Sequence, residues 1–517
     1  MNRTLARGAV AAALLCATLV APVPAREPGR FDIHGRPVEA VNDTSRIATP
    51  SSQGWNRNRA YVDDQWLRPV DQLLALHGTG RALDLNCLDE VPASTWFAPR
   101  PKPLAPVRLD HAAPLQVLDA RLDGPDPFLV VRDARGDRYW LDFDAPGAPE
   151  LRTTAAVVST RLLHAAGFPV LDCDVDALAR GDFTLASQAS CTGEFWGRDR
   201  LAEQDLQRFL ARIAAPDGTI RVAASRLPAG TALGSFRERG VRGDDPNDRI
   251  PHPDRRSLRG LGILAAWLDY PAFREDRTLD IYLEPQGYVR HYLRGLARTL
   301  GAGPRAPQET TPEGFTALID EGFEPRSWAP LDPCAFFQAM QWGDAVWGVR
   351  RLLAVTPAQI RDAVAGARMS DAEQAEFLAG ALTERRARIA RAWLDALNGA
   401  ERFAVREAAP GRWTLECEDT GVRAGLRQGE DVTFAMTLAL PDAGERWGFQ
   451  TRGAAKAAFD LVPFLPPAWL HRFDARRYAI AEIRAWDYRG RTLTGTARVH
   501  LYFDRDSGPR IVGVERD

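Results

Sequence analysis

The chain has 517 residues, 45% of them hydrophobic and 26% charged, and a formal net charge of -2. That length exceeds one hydrophobic core, so about two to four domains are expected. A near-neutral chain feels no general pull toward nucleic acid or an anionic membrane, and neither is expected as a partner. Of the 66 basic residues only Lys102 and Lys456 are lysine.

The first residues read as an export signal. Arg3 and Arg7 form a basic start, an apolar stretch runs from Ala9 to Ala21, and Val23-Pro24-Ala25 offers small residues for cleavage before Arg26. The stretch is too short to span a bilayer, and no later run is long and apolar enough. Cys16 lies within it, but Leu15 stands where lipoprotein processing needs a small residue. An exported, periplasmic or extracellular protein is therefore expected ahead of a lipid-anchored one, with no transmembrane segment after cleavage. Cleavage would leave Cys87, Cys173, Cys191, Cys334 and Cys417, an odd set whose pairing stays open. Cys173 and Cys191, the closest two, could staple a hairpin. No Cys-x-x-Cys occurs, so neither a zinc ribbon nor a thioredoxin-type site is supported.

After the signal (1–25), residues 26–105 read as an irregular extension ending in the linker "PRPKPLAPV", with a short helix expected in "DDQWLRPVDQLLALHG". Residues 106–236 mix strands with one clear helix. "FLVVRDARGDRYWLDFD" is two strand-like runs around an Asp133-to-Asp137 turn, and Ala155, Val158, Leu162 and Ala165 recur at helical spacing before Gly167. "PVLDCDVDAL" and "TIRVAASRL" read as further strands, and "GTALGS" as a turn. Residues 237–399 read as mostly helical. Leu258, Leu261, Ala265 and Leu268 share one face, Thr356 caps a helix that opens with Pro357, and Ser370 with Glu373 forms a capping box for a long helix ending near Asn398. From about 400 the period changes to two, as in "ARVHLYFD", which predicts a β-sandwich-like domain over 400–517.

Generic hydrolase and nucleotide motifs are missing: no Gly-x-Ser-x-Gly, no His-Glu-x-x-His, no Gly-Lys-Ser/Thr loop. Asp172, Asp174 and Asp176 would share one strand face, which is more often a solvated face than a metal site. The loop "GDDPNDRIPHPDRR" lacks calcium-loop spacing, and Asp254 within it reads as a helix cap. Asp142 and Asp144 lie two apart on one strand, and pairing with arginines such as Arg138 or Arg152 is the plainer reading. No resident metal is expected.

Taken together, "LNCLDEVPASTWF", "RDARGDRYWLDFDAPGAPE", "VVSTRLLHAAGFPV", "DDPNDRIPHPDRRSLRGL", "AAWL", "RHYL" and "LTERRARIARAWLDALN" resemble a group of uncharacterised secreted bacterial proteins related to atypical kinases of the HipA and CotH kind. The resemblance spans roughly 84–400. It implies an α+β fold with a two-lobed, protein-kinase-like core: a β-rich N-lobe (106–236) and a helical C-lobe (237–399), flanked by the extension and the all-β domain. It also implies a cleft where a Lys meets phosphate, a helix Glu orients it, an Asp-x-x-x-x-Asn loop follows and an Asp holds metal. At those positions this sequence has Asp142, Ala156, Ala272 with Arg277, and Gly295 within Arg294-Gly295-Leu296-Ala297. No lysine occurs between 103 and 455.

The reading that follows is a catalytically inactive pseudokinase acting as a binding or structural module, with no cofactor and an unknown protein, glycan or small-molecule ligand. One alternative is an active atypical phosphotransferase using ATP with Mg or Mn, with relocated groups such as Asp280 on metal and Arg274 on phosphate. Another is an envelope interaction protein acting through its C-terminal β domain. Asp142, Arg274, Asp280 and His291 are the candidate cleft residues.

Overall fold

The computed structural model describes residues 42–52, 80–124, 126–192, 198–271, 273–303, 314–440, 445–452, 456–461, 478–504 and 508–516. The signal segment, the helix expected in 63–78 and Ala272 lie outside the described residues. The protein is mixed α/β, with sheet-rich parts on either side of a helical one.

The first sheet comprises β1 (Leu115–Arg121), β2 (Phe128–Arg132), β3 (Arg138–Phe143), β4 (Cys173–Ala179), β5 (Phe183–Thr192), β6 (Arg198–Arg200) and β7 (Thr219–Arg226). Their order is β4-β7-β3-β2-β1-β5-β6, antiparallel apart from the β1·β5 pair. Helix α1 (Leu151–Ala166) follows β3 and packs on one face against Cys173, Val175 and Ala223. Asp144 caps it, accepting from the backbone N–H of Arg152 at 2.8 Å and Thr153 at 2.9 Å. Gly167 closes it at φ +107°, where a Cβ would lie 2.5 Å from the Phe97 ring, so only glycine fits.

A second helix, α2 (Glu203–Ile213), covers the other face with Leu206, Phe209 and Leu210. The expectation of one helix here was incomplete, although the 206, 209, 210, 213 spacing is that of an amphipathic helix. The strand order also rules out the Cys173–Cys191 staple. β4 and β5 are separated by four strands, or more than about 20 Å at ordinary strand spacing. Cys87, Cys173, Cys191 and Cys417 are free thiols.

The region from 237 to 399 is not wholly helical. β8 (Thr231–Gly234), which lies where a turn was expected, joins β9 (Thr278–Leu283) and β10 (Tyr288–Leu293) in a sheet ordered β10-β9-β8. Around it lie a short turn Arg256–Arg259, α3 (Leu261–Trp267), α4 (Trp342–Ala354), α5 (Pro357–Gly366) and α6 (Ala372–Leu394). α3 is buried on all sides, so its apolar residues form no single stripe. Thr356 caps α5 as expected. The cap of α6 is Asp371, one residue past the expected box, because Ser370 is engaged by Glu150. The Arg256–Arg259 turn is capped by Asp84 at 2.6 Å; Asp254, the expected cap, pairs with Arg259 at 3.0 Å instead.

The last region has its own core, including Phe434, Phe459, Ile483 and Leu501. β11 (Ala400–Ala409), β12 (Arg412–Asp419) and β15 (Lys456–Asp460) form one sheet, in the order β11-β12-β15. β13 (Val432–Leu440), β14 (Glu445–Arg452), β16 (Tyr478–Asp487), β17 (Ala497–Asp504) and β18 (Gly508–Arg516) form another, in the order β14-β13-β16-β17-β18. β13 alternates buried and half-buried residues along its length, the period-two signature. Helical turns at Thr420–Arg423 and Gly429–Asp431 interrupt the strands.

A buried ion network fastens this region to the rest. Asp89 meets Arg256 and Arg516 at 2.8 Å each and Arg81 at 3.0 Å. Burial works to raise the Asp89 carboxyl, but these cations outweigh it and hold it at about 2. Asp344 binds Arg256 at 2.9 Å and Arg259 at 3.3 Å, and Arg350 binds Glu401 at 2.8 Å. No helix among the described residues is long and apolar enough to cross a membrane.

Candidate functional site

Alternation along β3 points Tyr139, Leu141 and Phe143 at the α2 side and Trp140 and Asp142 at the other. Asp142 pairs across the sheet with Phe128 on one side and Ala223 on the other, so it shares its face with α1. Trp140 stacks on Phe128, ring centroids 3.7 Å apart, and the Arg294 guanidinium lies 4.5 Å from the Trp140 ring. The Trp140 indole N–H donates to Asp142 at 3.2 Å. Burial lifts the Asp142 carboxyl to about 6; the Trp140 hydrogen bond offsets part of this, Asp126 adds to it, and Arg277 and Arg294 oppose it. Asp142 is therefore not a surface acid paired with Arg138 or Arg152, as the plainer reading had it. Arg138 donates to the Gly230 carbonyl at 2.8 Å.

Asp126 reaches into the same space from the turn between β1 and β2. Arg277 donates to its Oδ2 at 2.5 Å and Arg298 at 3.2 Å. Burial works to raise the Asp126 carboxyl, yet Arg277, Arg298 and Arg152 hold it below the usual carboxylate range. Arg277 also faces Asp276 at 3.7 Å, and Arg274 binds Asp276 at 3.1 Å and Asp332 at 3.6 Å. Gly295 takes φ +68°, and a Cβ there would lie 2.8 Å from Cδ of Arg277. The Arg277 side chain thus fills the space above Gly295, and an acid at 295 would have to displace it.

The first sheet and the helical part therefore meet around Asp126, Asp142, Arg274, Asp276, Arg277, Arg294 and Arg298. Ala156 lies within the α1 core, close to a hydrogen bond of 2.6 Å between the Ser159 and Thr299 hydroxyls. Asp280 and His291 belong elsewhere. They face each other across β9 and β10 at 2.7 Å, and Asp280 also binds Arg242 at 3.2 Å. The His291 ring stacks on Trp96 at 3.6 Å. Around Trp96 the loop from 243 to 256 folds into a buried knot, with Asp248 meeting His252 at 2.9 Å and Arg255 at 2.7 Å. Asp244 binds Ser51, which straps the chain near residue 50 onto this knot.

The alternating acids of β4 and the residue before it are taken up by the linker and by arginines. Asp172 meets Arg226 at 3.1 Å, Asp174 meets Arg161 at 2.5 Å, and Asp176 meets His111 at 3.3 Å. No group of three metal-ligating side chains occurs among the described residues. Asp126 and Arg298 were not singled out in the sequence, and Arg152 only as a partner for Asp142 or Asp144. The signal available was an acid, Asp126, in the short stretch between two strand-like runs.

No protein-family model matches the chain, and comparison with curated proteins finds no match. Solved structures that align with it include a Helicobacter pylori proinflammatory kinase, CtkA, at 10% identity and a TM-score of 0.31, covering 52% of this chain and 91% of that one. The Golgi casein kinase aligns at 9% identity and TM-score 0.31, covering 55% and 73%. Its Mn/ADP-bound structure aligns at 10% and 0.31, covering 54% and 72%. These are kinase structures, and a TM-score of 0.31 carries no argument for what the cleft of this chain does.

Proposed function

We propose that the chain is an exported binding or structural module, built on a kinase-like scaffold, that does not transfer phosphate. The observation that carries this reading is the bridge from Asp126 to Arg277 and Arg298, which closes the space between the first sheet and the helical part. Phosphoryl transfer needs cations on the phosphates and carboxylates free to hold metal. Here a carboxylate, Asp142, faces that space from β3, Arg277 and Gly295 replace the metal-holding groups, and the remaining acids are spent on arginines. Asp280, the residue an active alternative would need on metal, has its two oxygens engaged by His291 and Arg242.

The test is full-length protein with ATP and Mg or Mn, read by thermal shift and by transfer of labelled phosphate. Neither stabilisation nor transfer is expected. Turnover that disappears in Asp280→Ala would replace this reading with an active phosphotransferase. Export is supported by the basic and apolar start of the sequence, and cell fractionation with N-terminal sequencing checks it. A ligand of the C-terminal strands is best sought with the whole chain, because a fragment from 400 would leave Arg516 and Glu401 without Asp89 and Arg350.

A further inference from the structure

The apolar stripe of α6 is not used up in the core. Leu378, Leu382 and Ile389 are fully buried, but Trp393, in its last turn, is only half-buried. Trp393 lines a pocket of about 260 Å3 between α3, α6 and the chain from 325 to 340. Three more large apolar side chains, Trp328, Phe337 and Met340, are half-buried around the same pocket. One such residue alone needs no explanation, whereas four converging on one hollow make a patch of aromatic and thioether surface left uncovered. Gly262 of α3 lets the Phe337 ring lie close, since a Cβ there would come 3.3 Å from it.

The walls are held by the fold itself. Pro325, Pro330 and Pro333 fix φ at three points of the segment facing the helices. The Leu331 N–H donates to the Pro271 carbonyl at 2.8 Å and the Ala335 N–H to the Glu238 carboxylate at 3.1 Å, which seats that segment. On the other side the Trp267 indole N–H donates to the Leu382 carbonyl at 2.8 Å and locks α3 to α6. Charge then decides what the pocket can hold. No Asp or Glu is among the described residues that line it. The charged residue there is Arg326, exposed and without an ion pair among the described residues, and Gln338 adds an exposed amide.

We propose that this pocket binds a small aromatic monocarboxylate, its ring among Trp328, Phe337 and Trp393 and its carboxylate toward Arg326 at the rim. An apolar hollow of about 150 Å3 takes benzene, so one of 260 Å3 has room for a ring and a short chain. Aromatic walls with one or two polar groups at the margin are the usual make-up of a small-molecule site. The same ring faces would also attract an organic cation, but Arg326 repels it and no lining acid neutralises it. The proposal rests on the reading of the chain as a binding module and gives that module a ligand class. It uses no residue of the Asp126 cluster.

The experiment is calorimetric titration of the full-length protein at pH 7.5 with three probes that share one body: 4-phenylbutyrate, 4-phenylbutanol and 4-phenylbutylamine. Wild type is expected to bind the acid with a Kd of about 1 mM or tighter, and about fivefold more tightly than the amine. Arg326→Gln, at an exposed position, is expected to bring acid and amine within about twofold of each other and to leave the alcohol unchanged. Trp328→Ala is expected to weaken all three by about tenfold. Should Trp328→Ala fail to fold, Gln338→Trp takes its place, setting an indole at the rim from an exposed position, with the same loss expected. No binding of the acid by wild type, tighter binding of the amine, a preference for the acid that survives Arg326→Gln, or undiminished binding in the Trp328 or Gln338 variant overturns the proposal. Failure here leaves the non-catalytic reading standing, since that is tested with ATP and metal.

Discussion

Among the described residues, two of the buried clusters of arginine and aspartate, around Asp89 and around Asp126, differ in what they join. Around Asp89 the cations Arg81, Arg256 and Arg516 converge on one acid, and Asp344, Glu515 and Glu401 take up neighbouring guanidiniums. Around Asp126 arginines converge from α1, the start of β9 and the chain beyond β10, and burial raises the carboxyl of neighbouring Asp142 to about 6. The first cluster ties together three distant stretches of chain: residues 81–90, the helices, and the last strand. The second joins two parts of the fold through a single turn. The first cluster fastens the last strands to the rest of the chain, whereas the second sets a raised carboxyl, Asp142, beside a lowered one, Asp126. Buried pairs are seldom a net gain over apolar packing, but breaking one is costly because the partner is left charged and dry.

That contrast can be broken most sharply at Asp89. Asp89→Ala leaves Arg256 and Arg516 without their shared acid, and a loss of about 3–5 kcal/mol in denaturant unfolding is expected. A loss under about 1 kcal/mol would mean that the network is not the fastening argued here.

At the cleft the expected sign is opposite. Asp142 has a folded pKa of about 6, above its value of about 4 in an unfolded chain. The native state therefore binds more protons at this site, so stability is highest below about pH 4, falls as pH rises to about 6, and stays lower above. Asp142→Asn removes this cost. A gain of about 1–2 kcal/mol at pH 7.5, absent at pH 4, is expected from melts at the two pH values. An equal effect at both would place the carboxylate outside the charge cluster.

The smallest effect belongs to an exposed pair that enters neither cluster. Arg412 meets Asp460 at 2.7 Å with most of its side chain in water. Arg412→Ala should cost no more than about 0.5 kcal/mol, and still less in high salt. It is the control against which the other two are read.

Local signals located much of the framework. The strand period in β3 and β17, the helix of 155–165 with its glycine stop, and the Thr356-Pro357 cap are readable because each depends on neighbours within a few residues. Caps supplied from afar were not readable. Asp84 caps a turn 172 residues downstream, so Asp254 looked like the cap while being bound to Arg259. Asp142 was singled out in sequence as an acid among apolar residues, and its odd character is real. The cations that act on it, however, Arg277 and Arg294, come from more than a hundred positions away.

The sequence by itself determined the periodicities and the scarcity of lysine, and it drew attention to Asp142 as an acid among apolar residues. Only the tertiary structure decided that arginines gather on the Asp142 side of β3 and that Asp126 bridges two of them. It also moved Asp280 and His291 out of the cleft into the knot around Trp96. The reason is physical: hydrophobic period and capping act over one or two turns of chain, whereas a charge is priced by its burial and by whichever partners folding brings within a few ångströms. Asp126 and Arg277 are 151 residues apart in the chain and 2.5 Å apart in space.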